Sequence, residues 1–309
     1  MIWSTIGYLV RTYWAFTRRD ELMKLSICIP TYNRAQHLSN CLESIKSNRN
    51  RAYYDYEVCI SNNCSTDNTE TIVDKARSTL NIKYNNNASN YGIPRNYLRV
   101  LDMAEGEFVW LIGDDELLLP DAIGRLLDLL ESHTNVDYFF VNSYHLSTEY
   151  VFSYPQPFST ANLPDKMELF SKWNKSGYIM FMDLIDPDIA FDYLGGMYLS
   201  VFKRNMWKMN TRVLDEDAIH DTRTFSHYDN TFPHVKIFAH AFAKSQAYIN
   251  VEALSVNLTG AREWSPMYPL VHSVRLIESL DEYRKCGLPY GQYIKCKNFA
   301  LNNFIPDMA

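Results

Sequence analysis

Residues 108–116 read Phe108-Val109-Trp110-Leu111-Ile112-Gly113-Asp114-Asp115-Glu116. Five consecutive apolar side chains ended by a glycine describe a short, buried strand. Two carboxylates follow at once, which puts Asp114 and Asp115 at the carboxyl end of that strand. Open α/β sheets bind ligands in the crevice outside the carboxyl ends of their strands. Hard divalent cations take carboxylate oxygens and bridge to substrate phosphates. Paired aspartates also occur on solvated loops, so this pair takes its meaning from what surrounds it.

Working outward, Lys24 to Ile29 is an apolar run closed by Pro30 and predicts the first strand. Leu38, Cys41, Leu42 and Ile45 recur at helical spacing over residues 36–47. A second strand is predicted at Tyr56–Ser61 and a helix at Asp67–Leu80, its start marked by Ser65, Thr66 and Asp67. A short strand at Asn81–Tyr84, a polar loop through Asn90 and a helix from Pro94 to Ala104 follow. After the central strand come a helix from Pro120 to Ser132 and a strand at 136–143. Strands alternating with helices predict a mostly parallel, Rossmann-like α/β sheet with helices on both faces. Right-handed crossovers then gather the loops at Pro30–Arg34, Ser61–Asp67, Asn90–Asn96 and Gly113–Glu116 along one sheet edge.

The chain has 309 residues, 47% of them hydrophobic, enough for one large domain or a domain with a substantial extension. A formal charge of −6 argues against a nucleic-acid partner, which calls for a basic face. The six cysteines include no CxxC pair, and Cys28 and Cys59 fall in core strands, so free buried thiols in a reducing compartment are expected rather than zinc ligands. No run of about 18 apolar residues is present, so no transmembrane helix is predicted.

The four edge loops resemble, in order and spacing, those of family 2 glycosyltransferases of the GT-A fold. The resemblance covers residues 24 to about 145 and rests on Pro30-Thr31-Tyr32-Asn33-Arg34, Ser61-Asn62-Asn63-Cys64-Ser65-Thr66-Asp67, Asn90-Tyr91-Gly92 with Asn96, and Ala104-Glu105-Gly106 leading into Asp114-Asp115. It implies that Pro30, Thr31, Tyr32, Asn33 and Arg34 lie along the base and ribose of a nucleotide-diphosphate sugar. It implies that Asn62 and Asn63 contact the base, with Gly92 on the neighbouring loop. It further implies that Asp114 faces the nucleoside and that Asp115 binds a divalent metal, Mn²⁺ or Mg²⁺. Charge on a nucleoside diphosphate leaving group needs a cation or Arg/Lys donors, and Arg34 and Arg95 are candidates that read equally well as solvated loop arginines. One departure from the family pattern is Asn62, where aspartate is usual. An amide donates as well as accepts, so base preference is expected to change.

The second half is expected to carry the acceptor and, for an inverting transfer, a carboxylate base within reach of the acceptor hydroxyl. Gly195-Gly196-Met197-Tyr198-Leu199-Ser200 resembles the glycine-containing strand that follows the sugar pocket in this family. Asp215, Glu216, Asp217, Asp221 and Asp229 lie downstream. Asp229, just before the apolar helix carrying Val235, Ile237, Phe238, Ala241 and Phe242, is the preferred base, and Asp217 is second. His234 at that helix start is a phosphate or metal candidate whose commoner role is structural. Residues 227–265, with Arg262 and Trp264, resemble the abequosyltransferase-like group that builds bacterial surface polysaccharide. There Arg262 and Trp264 are either contacts to diphosphate and acceptor sugar or a solvated arginine beside a packed tryptophan.

The expected organisation is therefore residues 1–22 as a leader or interfacial segment, 23–145 as the nucleotide-sugar half, 146–265 as the acceptor and catalytic half, and 266–309 as a helical C-terminal extension. Ile2, Trp3, Tyr13, Trp14 and Phe16, flanked by Arg18 and Arg19, suit a membrane interface, while a start at Met23 would make the segment a leader without function. In the tail, Leu270, Val274, Ile277 and Leu280 predict an apolar helical stripe that packs on its own domain or rests on anionic lipid. The expected activity is transfer of a sugar to a saccharide or polyprenyl-linked saccharide, at the inner face of the plasma membrane. A non-catalytic nucleotide-sugar-binding subunit is the alternative. A sugar-phosphate nucleotidyltransferase ranks lower, because the loop after the first strand carries no glycine.

Overall fold

The computed structural model describes residues 23–48, 55–260 and 267–304. The N-terminal segment and the Arg262 and Trp264 candidates lie outside the described residues. Strand β1 (Leu25–Thr31) is flanked by β2 (Tyr56–Asn62) and β4 (Phe108–Leu111), and β3 (Ile82–Asn86) pairs beyond β2, all in parallel. Every residue of β1, β2 and β4 is buried, as expected for strands covered on both faces. Helices α1 (Ala35–Ser47), α2 (Thr69–Ala76), α3 (Ile93–Asp102) and α4 (Ala122–Ser132) supply that cover.

The sheet does not stop at the parallel half. Its order is β3-β2-β1-β4, then β9 (Ser200–Lys203), β6 (Tyr138–Ser147), β10 (Gln246–Thr259) and β5 (Glu116–Leu118), with β7 (Glu168–Leu169) and β8 (Gly177–Met180) attached to β6 and β10. Strand β9 runs antiparallel to both β4 and β6, whereas β10 is parallel to β6. The expected boundary near residue 145 thus falls inside β6, and one sheet serves both halves. No structural seam falls there.

Two local readings are corrected. The polar loop expected from Asn85 begins later, because Asn85 and Asn86 pair with Ser61 and Asn62 as the end of β3. Strand β5, too short to show a period, follows the acidic run directly and pairs antiparallel with β10 through Asn257 opposite Glu116.

The second half adds α5 (Thr148–Phe152), α6 (Arg204–Asn210), α7 (Glu216–His220), α8 (Tyr228–Thr231) and α9 (Pro233–Phe242). Aromatic rings of Tyr138, Phe181, Phe202, Trp207, Phe238 and Phe242 interlock at centroid separations of 4.9–6.1 Å and tie α6 and α9 to the sheet. The tail is helical as expected, with α10 (Leu276–Lys285) and α11 (Tyr290–Asn303). Its buried stripe is Val271, Leu276, Leu280 and Tyr283, whereas Val274 is exposed. A π-helical stretch at Val271–Arg275 displaces the 3.6-residue phase assumed for the stripe. Among the described residues no helix is long and apolar enough to cross a membrane.

Candidate active site

Gly113 ends the apolar run. A Cβ there would press on Glu116 Oε2 and lie 2.6 Å from Asp115 Oδ1, so a side chain would require these carboxylates to shift. The carboxylates of Asp115 and Glu116 therefore converge on the glycine. Asp114 and Asp115 are 5% and 4% exposed and Glu116 is fully buried, which places three consecutive carboxylates in a site largely withdrawn from water. Such a cluster persists only with compensating donors and cations.

The loop after β1 supplies them. Thr31 Oγ1 donates to Asp114 Oδ2 at 2.7 Å. Arg34 bridges the pair, with Nε 2.9 Å from Asp114 Oδ1 and Nη2 donating to Asp115 Oδ2 at 3.1 Å. Asn257 Nδ2 donates to Glu116 Oε1 at 2.9 Å, a contact from β10. Beneath the run, burial and the surrounding carboxylates raise the Cys41 thiol well above its ordinary range. One turn beyond Arg34, burial and the guanidinium charge lower His37 to about 4, against the pull of Asp115, so this imidazole is neutral at physiological pH.

The neighbouring loops are stitched by side-chain amides. Asn33, at φ +52°, accepts Thr66 N–H and donates its own N–H to Ser65 Oγ; asparagine tolerates that left-handed geometry. Asp67 accepts Ala35 N–H at 2.9 Å and so caps the start of α1 from the next loop. Asn63 accepts Tyr91 N–H and donates to Asn90. Asn87 donates to both Asn63 and Asn96, and Asn96 donates to Ser61 O. Asn62 accepts Ser65 N–H and donates to Tyr84 OH. Gly92, at φ +84°, turns the chain into α3 where a side chain would be strained.

The expected residues thus separate. Pro30, Thr31, Tyr32, Asn33, Arg34, Asp114 and Asp115 converge on one edge, with Tyr32 exposed on its loop. Both Asn62 and Asn63 are buried and already committed to loop bonds, so in this arrangement they shape the crevice. Arg95 does not join the acidic pair. Its guanidinium lies 4.4 Å from the Tyr91 ring centroid and lines a groove of about 730 Å³ between α3, the end of β3 and residues 211–220.

The second-half acids have distinct surroundings. Asp215 caps α7 through Ala218 N–H, and Asp221 is gripped by Arg223. Glu216 and Asp217 are exposed on the first turn of α7, and Glu216 lines the groove. Asp229 is fully buried; its Oδ2 accepts from Lys236 Nζ at 2.7 Å and from Asp215 N–H at 2.6 Å. His234 Nε2 lies 3.0 Å from Gly195 O and burial lowers it to about 4, which fixes a neutral imidazole in a structural role.

Sequence reasoning passed over Glu116, Asn257 and Asp192. Asp192 carries the Gly195–Gly196 loop by accepting Gly196 N–H at 2.6 Å and Leu194 N–H at 3.2 Å. Burial pushes it up to about 6. Trp110 Nε1 donates to Tyr198 O at 2.8 Å, which ties that loop to the strand leading into the acidic run. Only the identity of Glu116 as the next acidic residue offered a sequence signal.

Residues 26–199 match the model of the family described as glycosyl transferase family 2. The chain belongs to that family. Over 116 residues it is 40% identical to the abequosyltransferase RfbV of Salmonella typhimurium, covering 37% of this chain and 34% of that protein. Over 115 residues it is 32% identical to the poly(ribitol-phosphate) β-N-acetylglucosaminyltransferase TarS of Staphylococcus aureus, covering 36% and 20%. The chain therefore spans about a third and a fifth of the lengths of these relatives. Among solved structures, TarS residues 1–349 in complex with UDP-GlcNAc superposes with a TM-score of 0.65 at 17% identity, over 91% of this chain and 72% of that one. The mannosyltransferase PcManGT of Pyrobaculum calidifontis, in complex with GDP-Man and Mn²⁺, gives 0.56 at 14% identity over 96% and 78%. These likenesses establish the GT-A fold of this family 2 chain.

Proposed function

We propose that this family 2 protein transfers a sugar, with inversion, from a nucleotide-diphosphate sugar to a saccharide or lipid-linked saccharide of bacterial surface polysaccharide. The observation that carries the reading is the buried Asp114–Asp115 pair at the carboxyl end of β4, held by Thr31 and Arg34 of the β1 loop. In this reading Asp115 holds a divalent metal, Mn²⁺ or Mg²⁺, and Asp114 faces the nucleoside. The bound ion would supply positive charge for the diphosphate leaving group. Exposed Tyr32 presents an aromatic face to the base, and Gly92 lets the backbone approach it.

The acceptor is expected along residues 146–265, the half that carries the candidate base. Asp229 is the candidate base, and its use requires the Lys236 pair to open; exposed Asp217 is the alternative. Support for a lipid-linked acceptor comes from a further relative, 26% identical over 186 residues, a GalNAc(5)-diNAcBac-PP-undecaprenol β-1,3-glucosyltransferase of Campylobacter jejuni. Such an acceptor would place the protein peripherally at the inner membrane face.

The test is nucleotide release from UDP-, GDP-, CDP- and dTDP-sugars with and without Mn²⁺ or Mg²⁺. Metal-dependent release from one donor, lost in Asp115→Asn, is expected. Absence of both release and calorimetric nucleotide binding across the panel would replace the transferase with a scaffold role.

A further inference from the structure

Arg34 already occupies the Asp115 oxygen that the proposed metal would take, and reaches Asp114 beside it. Its Nε and Nη2 sit 2.9 and 3.1 Å from one oxygen of Asp114 and one of Asp115, the two carboxylates assigned to nucleoside and metal. We propose that Arg34 is a built-in counter-ion of the acidic pair that a divalent metal must displace, so that metal and nucleoside diphosphate bind cooperatively. The proposal rests on the metal-site reading above.

Three observations support it. First, the guanidinium lies against both carboxylates, which are only 5% and 4% exposed, and places a positive charge where their burial calls for one. Second, the cation reaches solvent more than its partners do. The Arg34 side chain is 23% exposed, whereas those of Asp114 and Asp115 are 7% and 5% exposed. Asp114 also accepts from Thr31 Oγ1. Third, Arg34 is the residue immediately before α1 and makes no side-chain cap there, so its side chain can leave the pair without unravelling the helix.

Metal alone therefore competes with a prepaid ion pair. A diphosphate changes the balance, because a planar guanidinium released from carboxylates finds phosphate oxygens that suit its paired donors equally well. Arg34 is then a positioning residue that links the arrival of the two ligands. In a site without such a counter-ion, metal would load first and independently.

The experiment is a titration of the full chain with Mn²⁺, followed by electron paramagnetic resonance and calorimetry. Wild type, Arg34→Gln and Arg34→Lys are compared, each alone and with saturating UDP, GDP, CDP or dTDP, after circular dichroism establishes the fold. Wild type is expected to bind Mn²⁺ at least about tenfold more tightly with the preferred nucleotide than without it. Arg34→Gln should bind free Mn²⁺ about tenfold more tightly than wild type, with most of the nucleotide dependence gone, while Arg34→Lys stays close to wild type. A gain of metal affinity is a response that loss of a merely structural arginine would not produce. Equal or weaker Mn²⁺ binding by folded Arg34→Gln overturns the counter-ion proposal and leaves the metal site standing. No Mn²⁺ binding by any variant under any condition overturns both.

Discussion

Two buried acid–base pairs in this molecule look alike on paper and differ in kind. At the β4 edge, Arg34 bridges Asp114 and Asp115 from a loop, with a partly exposed side chain. Beneath α9, Lys236 neutralises a fully buried Asp229, which also accepts Asp215 N–H and is embedded in the capped turn His227–Asn230. The two counter-ions are similarly exposed, Arg34 at 23% and Lys236 at 18% of their side chains. Charge neutralisation is common to both, so burial of a carboxylate does not by itself make it a reagent; what separates the two is place, Arg34 on a loop at the ligand edge of the sheet and Lys236 within α9, on a carboxylate that also accepts Asp215 N–H.

The largest effect expected from breaking this comparison is on turnover. Asp229→Asn should lower kcat by about 10²–10⁴-fold if the Lys236 pair opens to free a base, measured as nucleotide release with acceptor present. A variant with intact kcat and a lowered melting midpoint would leave Asp229 as a structural anchor and move the base to Asp217. At the other pair, Asp115→Asn should reduce metal-dependent release by about 10²–10³-fold, the scale for losing one charge-stabilising group. Its circular dichroism spectrum should be unchanged, and a collapse of that spectrum would remove the distinction between the two sites.

Stability should respond in the opposite order. Lys236→Met strands a buried anion and is expected to cost about 3–5 kcal/mol in denaturant unfolding. Asn62→Asp tests the crevice at smaller scale, since the amide bonds to Tyr84 OH and Ser65 N–H at 2.9 Å each. The substitution keeps an acceptor for both and loses the donor, so stability should fall by about 1 kcal/mol while the preference among nucleotides shifts.

The pH dependence sharpens the second region further. His234 is held neutral, its folded value lowered from 6.5 to about 4. Its contribution to stability is therefore present above pH 6.5 and lost as pH falls toward 4. Asp192, raised from 3.8 to about 6, works with the opposite sign, its contribution present below 3.8 and lost as pH rises toward 6. The two oppose each other in wild type. His234→Asn should lower the slope of unfolding free energy against pH between 4 and 6.5 by up to about 1.4 kcal/mol per unit, one proton's worth.

Much of this was legible along the chain. The largely apolar run at 25–29, broken only by Ser26, and the unbroken one at 108–112 fit strands buried on both faces, as covered parallel sheets provide. Thr31, Arg34, Asp114 and Asp115 could be placed together because crossover handedness brings the ends of parallel strands to one edge. Strand β5 and the phase shift at Val271–Arg275 were not legible. A three-residue strand has no period, and a π stretch breaks the period that a helical stripe assumes.

What the sequence determined by itself is the parallel half, its ligand edge and the carboxylates on it, since local periodicity and turn chemistry act over a few residues. Tertiary structure alone decided that Asn62 and Asn63 hold loops together, that Arg95 faces a groove away from the acidic pair, and that Arg34 and Lys236 occupy such different places beside their carboxylates. Those outcomes depend on which group reaches a buried polar atom from another turn, loop or strand, as Asp215 N–H does at Asp229. The competition for such atoms is settled by packing geometry, which residue order does not encode locally.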